Sequence, residues 1–323
     1  MKSYFMLASA GEGTIDLRDV AIPEPGRAQL LVKMRAASLN RGEFIVGHGL
    51  QKPGTSKAIG MEGAGEVAKL DADVTGFSVG QRVMGRCAGA FSEYALMDVR
   101  EAIAMPGNLS FEEAASIPLT FLVVHDMLVV QGKLAKGEWL LVTGVSSGVG
   151  VASLQAAKAL GARVIGTSGA RKKLESLKSE GLDLGLETRA GDFHDAVMKA
   201  TDGKGVNLVV NTVGGSVFAE CVRSMAFEGR LATVGYVDGV LKSEIDIQAL
   251  HAKRLTLFGV SNKLRTPEQR AAGVPGFVAD LMPAIAAGRI RPLIDRVYPF
   301  DQLAGARAHM EANLHLGKIV VAM

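Results

Sequence analysis

The stretch that most constrains the fold is "EWLLVTGVSSGVGVASLQAAKALGARVIGTS", residues 138–168. An apolar, strand-like run passes directly into Gly144, Gly148 and Gly150, where a helical pattern begins that ends at Gly161. Glycine permits a sharp turn and close backbone approach, and a helix N-terminus carries N–H groups without intrahelical partners. An anionic group such as a pyrophosphate suits that turn. The spacing is G-x-x-x-G-x-G rather than G-x-G-x-x-G, and a glycine-rich turn alone is as often merely structural. Set between a strand and a helix, with a second strand following, it predicts dinucleotide binding. The expected cradle is Gly144, Ser146, Ser147, Gly148, Val149 and Gly150.

The end of the second strand bears on which dinucleotide. A NAD site usually places Asp or Glu there for the ribose hydroxyls. Here "GTSGARKK" offers Thr167, Ser168, Arg171 and Lys172. Hydroxyls and cations bind a 2′-phosphate that a carboxylate would repel, so NADP(H) is the expected cofactor. The alternative is that these cations are a solvated helix start.

Strand and helix alternate from Glu138 to about residue 261, which implies a parallel sheet with right-handed crossovers. Its later strand ends, "NTVGG", "VGYVDG" and "FGVS", should line the cofactor crevice, with Val213, Gly214, Gly235, Tyr236, Phe258 and Val260 as contacts. The first third is instead β-rich, with runs at 29–39, 63–70 and 91–97. "SFEEAASIPLTFLVVHDMLVV" then opens with Ser110 three residues before Glu113, a capping-box pattern, and continues with helical spacing.

With 323 residues, 48% hydrophobic and 21% charged, the chain suits a folded protein of two domains. Thirty-six basic and 33 acidic residues give a net charge of +3, and the basic residues are scattered. That argues against nucleic acid or a membrane surface as partner. Cys87 and Cys221 are the two cysteines, which argues against a disulfide framework and fits a cytoplasmic setting. The opening "MKSYFMLASA" has the outline of a signal peptide, but an edge strand accounts for it equally well.

Taken in order, "AASLNRGEF", "GMEGAGEV", "VGQRV", "GAFSEYA", "VTGVSSGVG", "NTVGG", "TVGY" and "GKIVVAM" resemble the zinc-independent quinone oxidoreductases of the medium-chain dehydrogenase/reductase superfamily. The resemblance covers nearly the whole chain. It implies an α/β fold: a GroES-like β-rich catalytic domain from residues 1–123 and 262–323, around a Rossmann doubly wound parallel-sheet domain at 124–261. Short-chain dehydrogenases also carry a motif like "TGVSSGVG", but close to the N-terminus and with a Tyr-x-x-x-Lys pair. Here none of Tyr4, Tyr94, Tyr236 and Tyr298 has lysine four positions on.

In zinc members of that superfamily the first two catalytic ligands are a cysteine and a histidine, where this chain has Asn40 and Met61. An amide and a thioether are poor Zn²⁺ ligands, and the four-cysteine lobe is missing, so no metal is expected. Without a Lewis acid, the expected acceptor is one already electron-poor, a quinone or an α,β-unsaturated carbonyl. Asn40 and His48 are the candidate catalytic residues, with Asn40 also placed at the nicotinamide ribose. By resemblance Thr120 joins the cofactor site; Arg41 is expected as its neighbour in the cleft and Lys318 as closing the site, alternatively an ordinary strand-start cation, while His125 is expected at a domain interface. A homodimer is expected. The alternatives kept are an enoyl-thioester or enone reductase of a biosynthetic pathway, and an NADPH-binding protein with little turnover.

Overall fold

In the computed structural model, residues 1–8, 13–45 and 54–323 are described. The chain forms two compact units: Met1–Leu122 with Asn262–Val278 and Pro292–Met323, and Val123–Ser261 with Ala279–Arg291.

The first unit is built on a seven-stranded sheet among the described residues. Its order is Ile294–Pro299, Lys318–Ala322, Gln29–Ser38, Glu62–Leu70, Arg82–Arg86 and Ala102–Ala104, with Tyr94–Asp98 also paired to Gln29–Ser38. The glycines of "GMEGAGEV" let Glu62–Leu70 lie tight against its neighbour. A Cβ at Gly63 would stand 2.8 Å from Ala36 O, and one at Gly65 would overlap Lys33 O. Gly60 makes the turn into this strand at φ +104, and a Cβ there would meet Phe91 N at 2.5 Å. Met6, Leu30, Val32, Phe91 and Met97 are among the fully buried side chains of this core.

Two local features depart from the sequence pattern. Lys2–Ala8 is the central strand of a small three-stranded sheet, flanked by Gly13–Asp19 and Ser56–Ala58, rather than an edge. The helical run after Ser110 is split into Phe111–Ala115 and Pro118–His125, followed by a π-helical turn at Asp126–Gln131. Pro118 has no N–H to continue a helix from the residues before it, so the first segment stops and a new one starts. The capping box itself is present: Glu113 N donates to Ser110 Oγ at 3.2 Å and Ser110 N to Glu113 Oε2 at 2.9 Å.

The second unit is a six-stranded, all-parallel sheet in the order Leu184–Glu187, Arg163–Ser168, Trp139–Thr143, Val206–Asn211, Met225–Thr233 and Thr256–Gly259. Winding starts at Trp139–Thr143 and moves outward on one side, then returns to Val206–Asn211 and proceeds on the other. That reversal leaves a crevice at the carboxyl ends of the two central strands, as in doubly wound nucleotide-binding sheets. Residues 279–291 cluster here, whereas the sequence boundary assigned all of 262–323 to the other domain. His125 Nε2 lies 2.7 Å from Asp280 Oδ2, and Gln155 Nε2 donates to Arg291 O at 2.7 Å, which ties the segment to this unit. No helix among the described residues is long and apolar enough to cross a membrane.

Candidate functional site

The glycine-rich turn closes as its sequence requires. Gly144 takes φ +67, a left-handed conformation that side chains rarely adopt. Ser147 caps the helix Gly148–Ala159: its Oγ accepts from Gly150 N at 3.1 Å and donates to Gly144 O at 2.9 Å. A Cβ at Gly150 would stand 2.5 Å from Gly144 O. Thr167 holds the turn from the neighbouring strand, its Oγ1 accepting from Gly144 N at 3.2 Å and its carbonyl from Val145 N at 2.9 Å. Ser146, Ser147, Gly148 and Val149 remain partly exposed around this turn.

Asn211 shapes the adjacent loop. Its Oδ1 accepts from Thr143 Oγ1, Val213 N and Gly214 N at 3.0–3.1 Å, and its Nδ2 donates to Gly214 O at 2.9 Å. Gly235 backs the same loop, since a Cβ there would meet Thr212 O at 2.9 Å. Gly144, Val213, Gly214, Gly235 and exposed Tyr236 therefore gather at the carboxyl end of the sheet, with Phe258 and buried Val260 at the edge strand. The sequence did not mark Asp238, which accepts from Ser216 N and Val240 N at 2.9 Å and from Ser216 Oγ at 2.6 Å. Burial alone would raise its pKa, but these bonds outweigh it and hold the carboxyl below its ordinary value.

The strand end that should receive a 2′-phosphate holds more than the sequence suggested. Ser168 Oγ lies 3.3 Å from Ser146 Oγ. Arg171 and Lys172 are exposed. A carboxylate does stand nearby: Glu187, from the next strand, pairs in register with Ser168 and accepts from Arg171 Nε at 2.8 Å. Its hydrogen bond with Arg171 holds Glu187 below the usual carboxylate value. Arg189 lies against Gly169, where an added Cβ would overlap its Nε. Both residues were missed because they lie at and just beyond the end of the neighbouring strand Leu184–Glu187, not the one whose end was read.

In the first unit a polar cluster is buried around Glu62, which is fully enclosed. Its Oε1 accepts from Ser38 Oγ at 2.6 Å, Asn40 Nδ2 at 2.9 Å and Lys318 Nζ at 2.9 Å, and its Oε2 from Leu119 N at 2.7 Å. Lys318, 6% exposed, also donates to Asn40 Oδ1 at 2.9 Å, Leu39 O at 3.1 Å and Thr120 Oγ1 at 3.2 Å. It is no solvated strand-start cation. Four acceptors surround an ammonium with three hydrogens, so Lys318 has no donor left for a ligand. Asn40 Nδ2 also donates to Glu43 Oε1 at 3.0 Å, which commits both of its N–H bonds. Thr120 differs: its hydroxyl accepts from Lys318, leaving its own proton for another acceptor.

Glu43 was not singled out from sequence. It is 3% exposed, and its Oε2 has no hydrogen-bond partner among the described residues. Burial raises its pKa to about 8, and the Asn40 hydrogen bond offsets this only in part. Arg41 turns to another task, its Nη2 donating to Met310 O and Asn313 Oδ1 at 2.7 Å each. Burial also lowers its pKa. His48 lies outside the described residues.

A family model described as an alcohol dehydrogenase GroES-like domain matches residues 26–107, and one described as a zinc-binding dehydrogenase matches residues 148–272. The chain belongs to the medium-chain dehydrogenase/reductase superfamily. Among similar solved structures are one complexed with NADPH and one named a quinone oxidoreductase, the family within the superfamily that the chain resembles. A mycobacterial protein complexed with NADPH is similar over 100% of both chains at 27% identity, with a TM-score of 0.90. A mycobacterial quinone oxidoreductase is similar over 100% of both chains at 28% identity, with a TM-score of 0.85. A highly reducing polyketide synthase of Alternaria alternata is 28% identical over 314 residues, 96% of this chain. The chain spans 12–14% of the length of such polyketide synthases.

Zinc chemistry in this superfamily needs Cys, His or carboxylate ligands converging on one point. At the first two ligand positions of the superfamily, Asn40 is bonded through both ends of its amide and Met61 offers a thioether. The Lys318 ammonium lies 2.9 Å from Asn40 Oδ1, where a dication would meet like-charge repulsion. Among the described residues no group of three or more His, Cys, Asp or Glu is placed to hold a metal ion. The residues present do not fit zinc.

Proposed function

We propose that the chain is an NADPH-dependent, zinc-independent reductase that passes hydride to a quinone or another α,β-unsaturated carbonyl. The observation that carries this reading is the cation beside Asn40, Lys318 held by Glu62 and by the Asn40 amide oxygen. A site with an ammonium in that corner suits acceptors that are electron-poor without metal polarisation.

The glycine cradle fits a dinucleotide, because Gly144 and Gly150 let the turn close tightly on itself and on Thr212 at the start of the helix. Gly148, Val149 and Ser146 would sit against the pyrophosphate, and Val213, Gly214, Gly235, Tyr236, Phe258 and Val260 along the crevice. Ser168, Arg171, Lys172 and Arg189 would receive the 2′-phosphate. When bound, NADPH supplies the hydride. This chain's contribution is orientation and a donor for the oxyanion formed on the acceptor. Thr120 is the donor proposed, since Lys318 occupies its acceptor side, with Asn40 and Glu62 holding Lys318 in place. A cytoplasmic setting belongs to the same reading, on the free thiols Cys87 and Cys221, and a homodimer is proposed with it.

The second reading, reduction of an enoyl thioester, is favoured by the likeness to a highly reducing polyketide synthase. Oxidation of NADPH and of NADH would be followed with a quinone, an enone and an enoyl thioester, with and without chelator. We expect turnover with NADPH, unaffected by chelation, for at least one acceptor. Loss of activity with chelator, or a preference for NADH, would overturn the proposal.

A further inference from the structure

A groove of about 570 Å³ opens in the first unit, and Met61, Cys87, Arg86 and Arg270 line it. Two guanidinium groups share one carboxylate there. Arg86 Nη1 lies 3.4 Å and Arg270 Nε 3.6 Å from the same oxygen, Glu101 Oε1. Both distances exceed the roughly 2.7–2.9 Å of a well-formed charge-assisted hydrogen bond. The side chains are only 11% and 25% exposed, and the Nε of each is buried without a hydrogen-bond partner among the described residues. Arg270 Nη1 is engaged by Arg265 O at 2.8 Å.

Among the described residues one other carboxylate lines the groove. Asp98 is held by Arg100, whose Nη2 and Nε donate to it at 2.6 Å and 3.0 Å. Among the described carboxylates that line the groove, Glu101 is therefore the one in ion-pair range of both enclosed cations. Arginine does not relieve such a situation by losing a proton. Its planar fork instead takes a second carboxylate, which forms two parallel hydrogen bonds. The remaining wall includes Phe5, Met61 and Leu96, which suits a carbon skeleton rather than a bare inorganic ion.

We infer that this groove is a binding site for a small organic carboxylate, with Arg86 and Arg270 as its anchors. The inference does not depend on which acceptor the protein reduces. It also gives Met61 a place, as apolar wall beside a charged end.

Benzoate and its neutral counterpart benzamide serve as probes, titrated calorimetrically into the wild-type protein and into Arg270→Gln. Arg270 is the more exposed of the two arginines, so this variant keeps the fold testable, and its thermal unfolding is recorded alongside. We expect benzoate to bind and to raise the unfolding temperature, with affinity falling as salt is added. Benzamide should bind at least tenfold more weakly, and Arg270→Gln should weaken benzoate by a similar factor. No benzoate binding, equal binding of benzamide, or undiminished benzoate affinity in a folded Arg270→Gln would each overturn the inference.

Discussion

Glu62 and Lys318, 256 residues apart in sequence, form an ion pair at 2.9 Å with side chains 0% and 7% exposed. A pair so enclosed is held by its hydrogen bonds as much as by attraction, because both charges have lost their water. Here Ser38, Asn40 and Leu119 N supply the remaining donors to Glu62. Removing one partner strands the other. Glu62→Gln and Lys318→Met should each lower unfolding free energy by about 3–5 kcal/mol. The double variant should lose less than the sum of the two. Denaturant titration measures this, and strictly additive losses would show that the two groups do not support each other.

Glu43 gives the first unit a pH dependence of known sign. Its folded pKa of about 8 lies above the ordinary 4.5, with burial the main cause and the nearby Glu62 charge adding to it. The folded state thus keeps a proton that the unfolded chain has released. Between those two values stability should fall by about 1.4 kcal/mol per pH unit from this group, and level off above them. Glu43→Gln carries no such proton. Its stability relative to wild type should rise through the same window, and a constant difference across it would contradict the assignment.

The sheet and its cradle were legible in sequence because a strand, a glycine turn and a helix are local patterns with local causes. The break at Pro118 was not read, because the apolar residues on either side of it keep helical spacing. The Glu62 cluster was not legible, since its members come from residues 38–43, 62, 119–120 and 318 and meet only when the sheet forms. The Asn40 amide, expected from sequence to reach the nicotinamide ribose or a substrate oxygen, is turned inward to Glu43 and Glu62. Glu187 and Arg189 escaped for the same reason: a neighbouring strand, not the motif's own, brings them to Ser168 and Gly169.

The placement of Arg171 and Arg189 predicts how cofactor choice responds to mutation. Glu187 already engages Arg171, so Arg189 should carry the larger share of any contact to a 2′-phosphate. Arg189→Ala should weaken NADPH binding about tenfold, close to 1.4 kcal/mol, and leave NADH unchanged. Glu187→Gln should act in the opposite direction by freeing Arg171. Fluorescence titration with both nucleotides reports the ratio, and an equal effect on NADH would mean that these residues do not read the phosphate.

Gly150 and Gly259 belong to the same unit and separate two meanings of glycine. A methyl group at Gly150 would press on Gly144 O at 2.5 Å and on Val145 backbone at 2.7 Å, whereas one at Gly259 would meet nothing within 4 Å. Neither has a positive φ, so backbone strain does not confuse the comparison. Gly259→Ala should be neutral or slightly stabilising, because it restricts only the unfolded chain. Gly150→Ala should cost about 1–3 kcal/mol by forcing the turn open. If the turn is the phosphate cradle, NADPH affinity should fall by at least tenfold in Gly150→Ala and remain unchanged in Gly259→Ala. A destabilised Gly150→Ala that binds NADPH as wild type does would leave the turn a structural element and move the cofactor elsewhere.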